Sequence, residues 1–176
     1  MTRLVNDLLA LARGDAGAQI NHEPVSLHDL LSAAWREFNA HGNAHDLPTP
    51  TLEPTTVMGD ADKLLQLAII LLENAVKYTP DGGTVRLSLT HQDGHAALIV
   101  TDTGIGIAET DLPHVFERFY RADKARVHGR DPGGTGLGLP IAQWIAQVHG
   151  GSIALESELG RGTTVTVRLP LTPDPS

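Results

Sequence analysis

The stretch TVRLSLTHQDGHAALIVTD, Thr84 to Asp102, decides the fold. It holds two alternating or apolar runs around QDGH, whose Asp-Gly pair is a strong hairpin signal. The reading is of two strands joined directly, with no helix between them. A second hairpin is expected in SIALESELGRGTTVTVRLP, Ser152 to Pro170. Working outward, DADKLLQLAIILLENAVKYTPDGG reads as a long helix from about Ala61 to Tyr78, ended by Pro80, Gly82 and Gly83. Another helix is predicted from Leu137 to His149, stopped by Gly150 and Gly151. SLHDLLSAAWREFNAHG gives an earlier one, with Ser26 as N-cap and Gly42 as stop. Strands that come as consecutive hairpins predict an α+β fold, a two-layer sandwich in which helices cover one face of a mostly antiparallel sheet.

The remaining segments are weaker signals. MTRLVNDLLALARGDAG has apolar residues at Leu4, Val5, Leu8, Leu9, Leu11 and Ala12, a helical spacing stopped at Gly14 and Gly17. It lacks a capping signal at its start, so it reads as the end of a longer helix. NHEPVS predicts a short extended stretch, and residues 43–58 one or two short strands. Residues 103–135 read as irregular, with one short helical piece near Asp111 to Phe119. No internal repeat is visible.

Composition narrows the function classes. The chain has 176 residues, 41% hydrophobic and 19% charged, with a net charge of -8. That suits a globular domain able to bury a core. The acidic balance and the lack of a dense basic cluster argue against nucleic acid as a partner. With no cysteine, disulfides and thiolate metal sites are excluded. The most apolar run, Leu64 to Leu72, is too short to span a membrane, and no signal-peptide pattern occurs at the N-terminus. A fragment without direct membrane contact is expected.

Glycine loops raise the question of phosphate. DPGGTGLGLP, Asp131 to Pro140, feeds straight into a helix, and free N–H groups at a helix N-terminus bind anions. It is not a P-loop, because no Gly-Lys pair occurs anywhere in the chain. Nor is it a dinucleotide fingerprint, since its G-x-G-x-G does not follow a strand directly. DTGIGI, Asp102 to Ile107, follows a strand but lacks the third glycine and the helix.

Three constellations gain weight together. In LLENAVKYTP, Asn74 lies beside the buried stripe of its helix, with Lys77 and Tyr78 three and four residues on and able to reach one site. The amide could bond a neighbouring loop, or serve as a neutral oxygen ligand to Mg²⁺, which takes few protein ligands. Lys77 could instead pair with Glu73. In IVTDTGIGI, a strand delivers Asp102 to its end, where the carboxylate could accept from an exocyclic amine or merely form a turn. Gly133, Gly134, Gly136 and Gly138 form the third, which could also be an ordinary surface loop. Between the glycine sites, VFERFY holds three of the seven aromatics, Phe116, Phe119 and Tyr120, with Arg118, Arg121, Lys124, Arg126 and Arg130 around and after them. That pattern reads as a lid over phosphates, or as a small apolar patch pinning a long loop.

In order, LLENAVKYTP, DTGIGI, VFERFYRAD, GGTGLGLPIAQWIAQVHGG and GRGTTVTVRLP resemble the N box, first glycine box, F box, second glycine box and last glycine box of sensor histidine kinases. These belong to the GHKL nucleotide-binding superfamily. The resemblance covers about residues 1 to 170. It implies a Bergerat-type sandwich that binds Mg-ATP. By resemblance Asn74 ligates Mg²⁺, Lys77 approaches the phosphates, Tyr78 lies beside the adenine, and Asp102 accepts from its amino group. Gly104 and Gly106 would shape the adenine pocket, and Thr163 would support the Asp102 end. Arg118, Arg121 and Arg126 would meet the phosphates. Gly134, Thr135, Gly136, Leu137 and Gly138 would form the lid edge. Ile107, Phe119 and Leu139, in the same boxes, complete the expected ATP-binding set. Residues 1–20 resemble the end of the dimerisation and phosphoacceptor helix with its linker, 21–170 the catalytic ATP-binding domain, and 171–176 a tail.

Two departures from the family pattern qualify the expected activity. No Ser-His-Glu stretch followed by Arg-Thr-Pro occurs, so the phosphoacceptor histidine and its acid/base neighbour are not in this sequence. Transfer needs the acceptor in line, so the chain is expected to bind ATP but to turn over little alone. The partners implied are its own dimerisation and phosphoacceptor domain and a response-regulator receiver domain. A cytoplasmic fragment of a membrane-anchored parent is implied. The second departure is Ile70, four residues before Asn74, where the superfamily's ATPases carry a water-activating Glu. This argues against a stand-alone ATPase. A degenerate docking module is the other alternative, against which the five intact boxes count. Without nucleotide, residues from about Arg121 to Gly136 are expected to be the least ordered part of the domain.

Overall fold

The structure, a computed structural model, describes residues 2–17, 19–42, 44–121 and 136–172. Five strands form one sheet: β2 (Thr51–Leu52), β4 (Val85–Gln92), β5 (His95–Asp102), β6 (Ser152–Glu158) and β7 (Gly162–Pro170), in the order β2-β4-β5-β7-β6. Every pairing is antiparallel except the short β2 beside β4. Both predicted hairpins are present, and the first turns at Asp93-Gly94. The α+β sandwich expected from consecutive hairpins is the fold observed.

Alternation builds the two layers. Along β4, Val85, Leu87 and Leu89 are buried while Arg86 is exposed. On the inner face, Leu98 and Val100 of β5 and Val165, Val167 and Leu169 of β7 continue the same apolar surface. Three helices cover it: α2 (Leu27–Ala40), α3 (Ala61–Lys77) and α4 (Gly138–Val148). Leu64, Leu67, Leu71 and Leu72 of α3 and Ile141 and Ile145 of α4 are buried in this layer. Each such side chain stabilises the fold by roughly 1.5–3 kcal/mol relative to exposure. The hydrophobic cluster is continuous across the helices and the sheet.

Helix starts follow local capping chemistry. Ser26 caps α2, its hydroxyl accepting from the Asp29 N–H at 3.3 Å. Asp60 caps α3, accepting from the N–H groups of Asp62 and Lys63 at 3.1 and 3.2 Å. The extended stretch before α2 becomes β1 (Glu23–Ser26), which pairs antiparallel with β3 (Thr56–Gly59) in a separate two-stranded sheet.

One local expectation is corrected and another narrowed. Gly14 does not stop the first helix, α1 (Thr2–Asp15); it stays helical and lies against Trp144 of α4. The short helical piece expected near Asp111 to Phe119 is present, confined to a 3-10 helix at Leu112–His114. Phe119, at φ 66°, is in the left-handed region and cannot extend a helix. The expectation about order from Arg121 to Gly136 concerns a segment of which residues 122–135 lie outside the described residues.

Candidate functional site

The last turn of α3, the end of β5 and the start of α4 converge on one cavity of about 600 Å³. Asn74, Lys77 and Tyr78 line it from α3, and Asp102, Gly106 and Ile107 from β5 and the loop that follows. Arg121, Gly136, Gly138, Leu139 and Thr163 also line it. Its apolar wall includes Val100, Ile105, Leu155 and Val165. Pockets of this size and makeup hold small organic ligands.

One end of the cavity is a hydrogen-bonded frame. Oδ1 of Asp102 accepts from the N–H of Gly104 at 2.8 Å and of Thr163 at 3.2 Å. The half-buried carboxyl is raised above the ordinary carboxylate range by burial, opposed by those two N–H donors. Ile105 N–H donates to the Tyr78 carbonyl at 3.0 Å, which ties the glycine loop to the end of α3. A Cβ on Gly106 (φ 70°) would collide with the backbone carbonyl of Glu158. Only glycine tolerates both that conformation and that approach.

Ser157 and Gly162 complete this frame, and sequence reasoning did not single them out. The Ser157 hydroxyl accepts from Ile107 N–H at 2.7 Å, donates to the Gly162 carbonyl at 2.9 Å and pairs with Thr163 Oγ1 at 2.8 Å. The signal was present: Ser157 occupies the half-buried parity of β6 with Ile153 and Leu155, where a polar residue needs a reason. Gly162 runs so close to β5 that a Cβ would strike the Asp102 carbonyl.

The other end is built by packing. Lys77 Nζ lies 5.4 Å from the Tyr78 ring centroid. Ile70 lines the cavity one turn before Asn74, and a Cβ on Gly138 would stand 3.3 Å from its Cγ2. Phe119 N–H donates to the Gly136 carbonyl at 3.0 Å, joining the two described ends of the predicted lid.

Several predicted residues stand apart from the cavity. Gly104 is buried beneath it against the Tyr78 carbonyl. Leu137 is fully buried in the core. The Phe119 ring is exposed. Arg118 pairs with Asp15 at 2.7 Å, pointing to α1. Arg126, Gly134 and Thr135 lie outside the described residues.

Residues 59–173 match the family model described as histidine kinase-, DNA gyrase B-, and HSP90-like ATPase. The chain belongs to this ATPase family. Among curated proteins it is 39% identical over 168 residues to sensor histidine kinase YkoH of Bacillus subtilis (strain 168), covering 96% of this chain and 36% of that protein. It is 41% identical over 178 residues to sensor histidine kinase WalK of the same strain, covering 97% of this chain and 28% of that protein. The full-length ShkA structure in complex with AMPPNP superimposes with a TM-score of 0.80 at 29% identity, over 97% of this chain and 35% of that one. The chain thus spans about a third of the length of these relatives, and it corresponds to the catalytic ATP-binding domain of sensor histidine kinases. Family membership implies ATP binding. Among the described residues, no helix is long and apolar enough to cross a membrane.

Proposed function

We propose that the cavity binds Mg-ATP and presents its γ-phosphoryl group to a histidine outside this chain. Adenine would lie against the apolar wall with its amino group donating to Asp102. What carries the reading is the fixed carboxylate at one end of a 600 Å³ cavity and a helix N-terminus with Asn74 at the other. Both described hydrogen bonds to Asp102 fall on Oδ1, which leaves Oδ2 for the amine. Tyr78 and Ile107 would flank the base, with Gly104, Gly106 and Thr163 holding its frame.

The triphosphate would run toward Lys77, Arg121, Arg126 and the N–H groups from Gly134 to Leu139, with Arg118 and Phe119 at the lid's edge. The residues present fit a magnesium ion: Asn74 offers a neutral oxygen on the cavity wall, as expected for a metal that takes most ligands from phosphate and water. Among the described residues, no cluster of three or more His, Asp or Glu could hold a metal without the nucleotide. When bound, Mg²⁺ would neutralise phosphate charge and orient the terminal group. Ile70 supplies no base to activate water, which suits transfer rather than hydrolysis.

In this reading residues 1–20 are the end of a dimerisation and phosphoacceptor helix, 21–170 the ATP-binding domain and 171–176 a tail. The acceptor histidine would belong to the parent's dimerisation domain, and phosphate would pass on to an aspartate of a response-regulator receiver domain. The parent would be membrane-anchored, with this portion in the cytoplasm. The test is incubation with ATP labelled at the γ-position, with and without a sensor-kinase phosphoacceptor domain added in trans. The expected result is acid-labile label on the added domain and next to none on the chain alone. Stoichiometric label on the isolated chain would overturn the reading.

A further inference from the structure

Helix α1 is not a passive appendage. Its residues divide by face: Ala10 and Leu11 are buried and Asp7 is half-buried, while Leu4, Val5, Leu8 and Leu9 are exposed. Asp7, Leu11 and Gly14 follow the i, i+4, i+7 spacing of one helical face, and that face is turned to the ATP-binding layer. Gly14 makes the close approach, since a Cβ there would stand 2.5 Å from Trp144 Nε1. Asp15 adds the ion pair to Arg118 at 2.7 Å. Asp7 lines the same cavity as Asn74 and Asp102.

Helix spacing locates Asp7 within that cavity. Trp144 of α4 carries Gly14 of α1 on one side and has the Lys63 ammonium 5.5 Å from its ring on another. Two turns back along α1 is Asp7, nearly two turns back along α4 is Gly138, and two turns on along α3 is Ile70. Gly138 faces Ile70 there, since a Cβ on it would stand 3.3 Å from the Ile70 Cγ2, one turn from Asn74. Asp7 therefore stands at the phosphate end of the cavity, away from Asp102.

A carboxylate at that point has a defined electrostatic effect. It repels a bare triphosphate and is attracted to a metal-complexed one, over a short range and in a partly desolvated cleft. On α3 the apolar Ile70 lines this end, and α1 brings an acid to it. We propose that Asp7 is a specificity-determining residue of the nucleotide site, facing the metal side of the triphosphate and making binding depend on Mg²⁺. The proposal rests on the nucleotide reading above.

The test is calorimetric titration of the whole 176-residue chain with ATP, once in excess Mg²⁺ and once in EDTA, with circular dichroism melts to verify folding. The unaltered chain should bind at least about tenfold more tightly with Mg²⁺. Asp7→Asn should lower that ratio at least about fivefold, mainly because metal-free ATP binds better. The double variant Asn6→Asp, Asp7→Asn keeps the net charge but turns the carboxylate about 100° around the helix, and should behave like Asp7→Asn. An unchanged ratio in folded Asp7→Asn, or a ratio restored by the double variant, overturns the proposal. Failure of the unaltered chain to bind Mg-ATP overturns the nucleotide reading, and this inference with it.

Discussion

The two ends of the cavity are made in different ways. The Asp102 end is a lattice of short-range hydrogen bonds: Gly104 and Thr163 to Asp102, Ser157 to Ile107 and Gly162, Ile105 to Tyr78. All of them hang from adjacent strands or from the end of α3. The Asn74 end is an assembly of helices, where α3 and α4 pack side by side and α1 lies on α4. The first end is preorganised, with its acceptor aimed before any ligand arrives. The second depends on where three helices sit relative to one another. In the proposed reading, recognition of the base belongs to the sheet, and handling of the phosphates to the packed helices.

Preorganisation has a thermodynamic cost that can be read from Asp102. Its carboxyl is raised by burial, so at pH values between its ordinary 3.8 and the raised value the folded chain holds a proton that the unfolded chain has lost. Stability therefore falls as pH rises through that window, and the ionised group destabilises the fold at neutral pH. A destabilising carboxylate at a cavity wall agrees with the binding role proposed for Asp102.

The largest effect should come from breaking the frame. Gly162→Val would force a side chain into the Asp102 carbonyl at a position with φ 117°. We expect a loss of about 3 kcal/mol or more in urea unfolding, from backbone strain and overpacking together. A loss within error of zero would mean that the two strands do not constrain each other as described.

A smaller, pH-dependent effect should come from the helix side. His149 at the end of α4 joins the two main helices: its Nε2 accepts from the Asp60 N–H at 3.0 Å, and its Nδ1–H donates to the Ile145 carbonyl at 2.7 Å. Only the neutral ring can do both. Burial holds its pKa below the ordinary 6.5, with nearby His22 acting the same way and the Ile145 carbonyl and Asp60 acting against it. The stability it contributes is present above about pH 6.5 and is lost as pH falls through the lowered value. Denaturation midpoints between about pH 7.5 and about pH 5 should fall more steeply for the unaltered chain than for His149→Gln. Equal slopes would remove His149 from this role.

How much was legible follows from the range of the interactions. Period-2 runs around Asp-Gly, the 3.6-period stripe of α3 and the Ser26 cap are local signals, and each has its predicted counterpart. The placing of Asp102 and Asn74 on one cavity was legible because strand ends and amides beside a buried stripe limit where such residues can face. The β1–β3 pairing was not, because four-residue strands more than thirty residues apart carry no mutual mark. Ser157 was passed over as one more strand residue, although its parity set it on the inner side. Asp7 was hidden because the helix reading followed apolar residues, and the face that meets the domain includes an acid and a glycine. Gly14 looked like a stop for the same reason.

The central claim is that a carboxylate aimed from the sheet selects the base. The most direct test is calorimetric titration of the chain with Mg-ATP and Mg-GTP, repeated on Asp102→Asn. Adenine offers Asp102 an amine, whereas guanine presents a carbonyl oxygen at the equivalent place, which a carboxylate repels. The account predicts saturable binding of Mg-ATP, at least about tenfold weaker binding of Mg-GTP, and a loss of at least about tenfold in ATP affinity for folded Asp102→Asn. Equal binding of the two nucleotides, or unchanged ATP affinity in the variant, would contradict it.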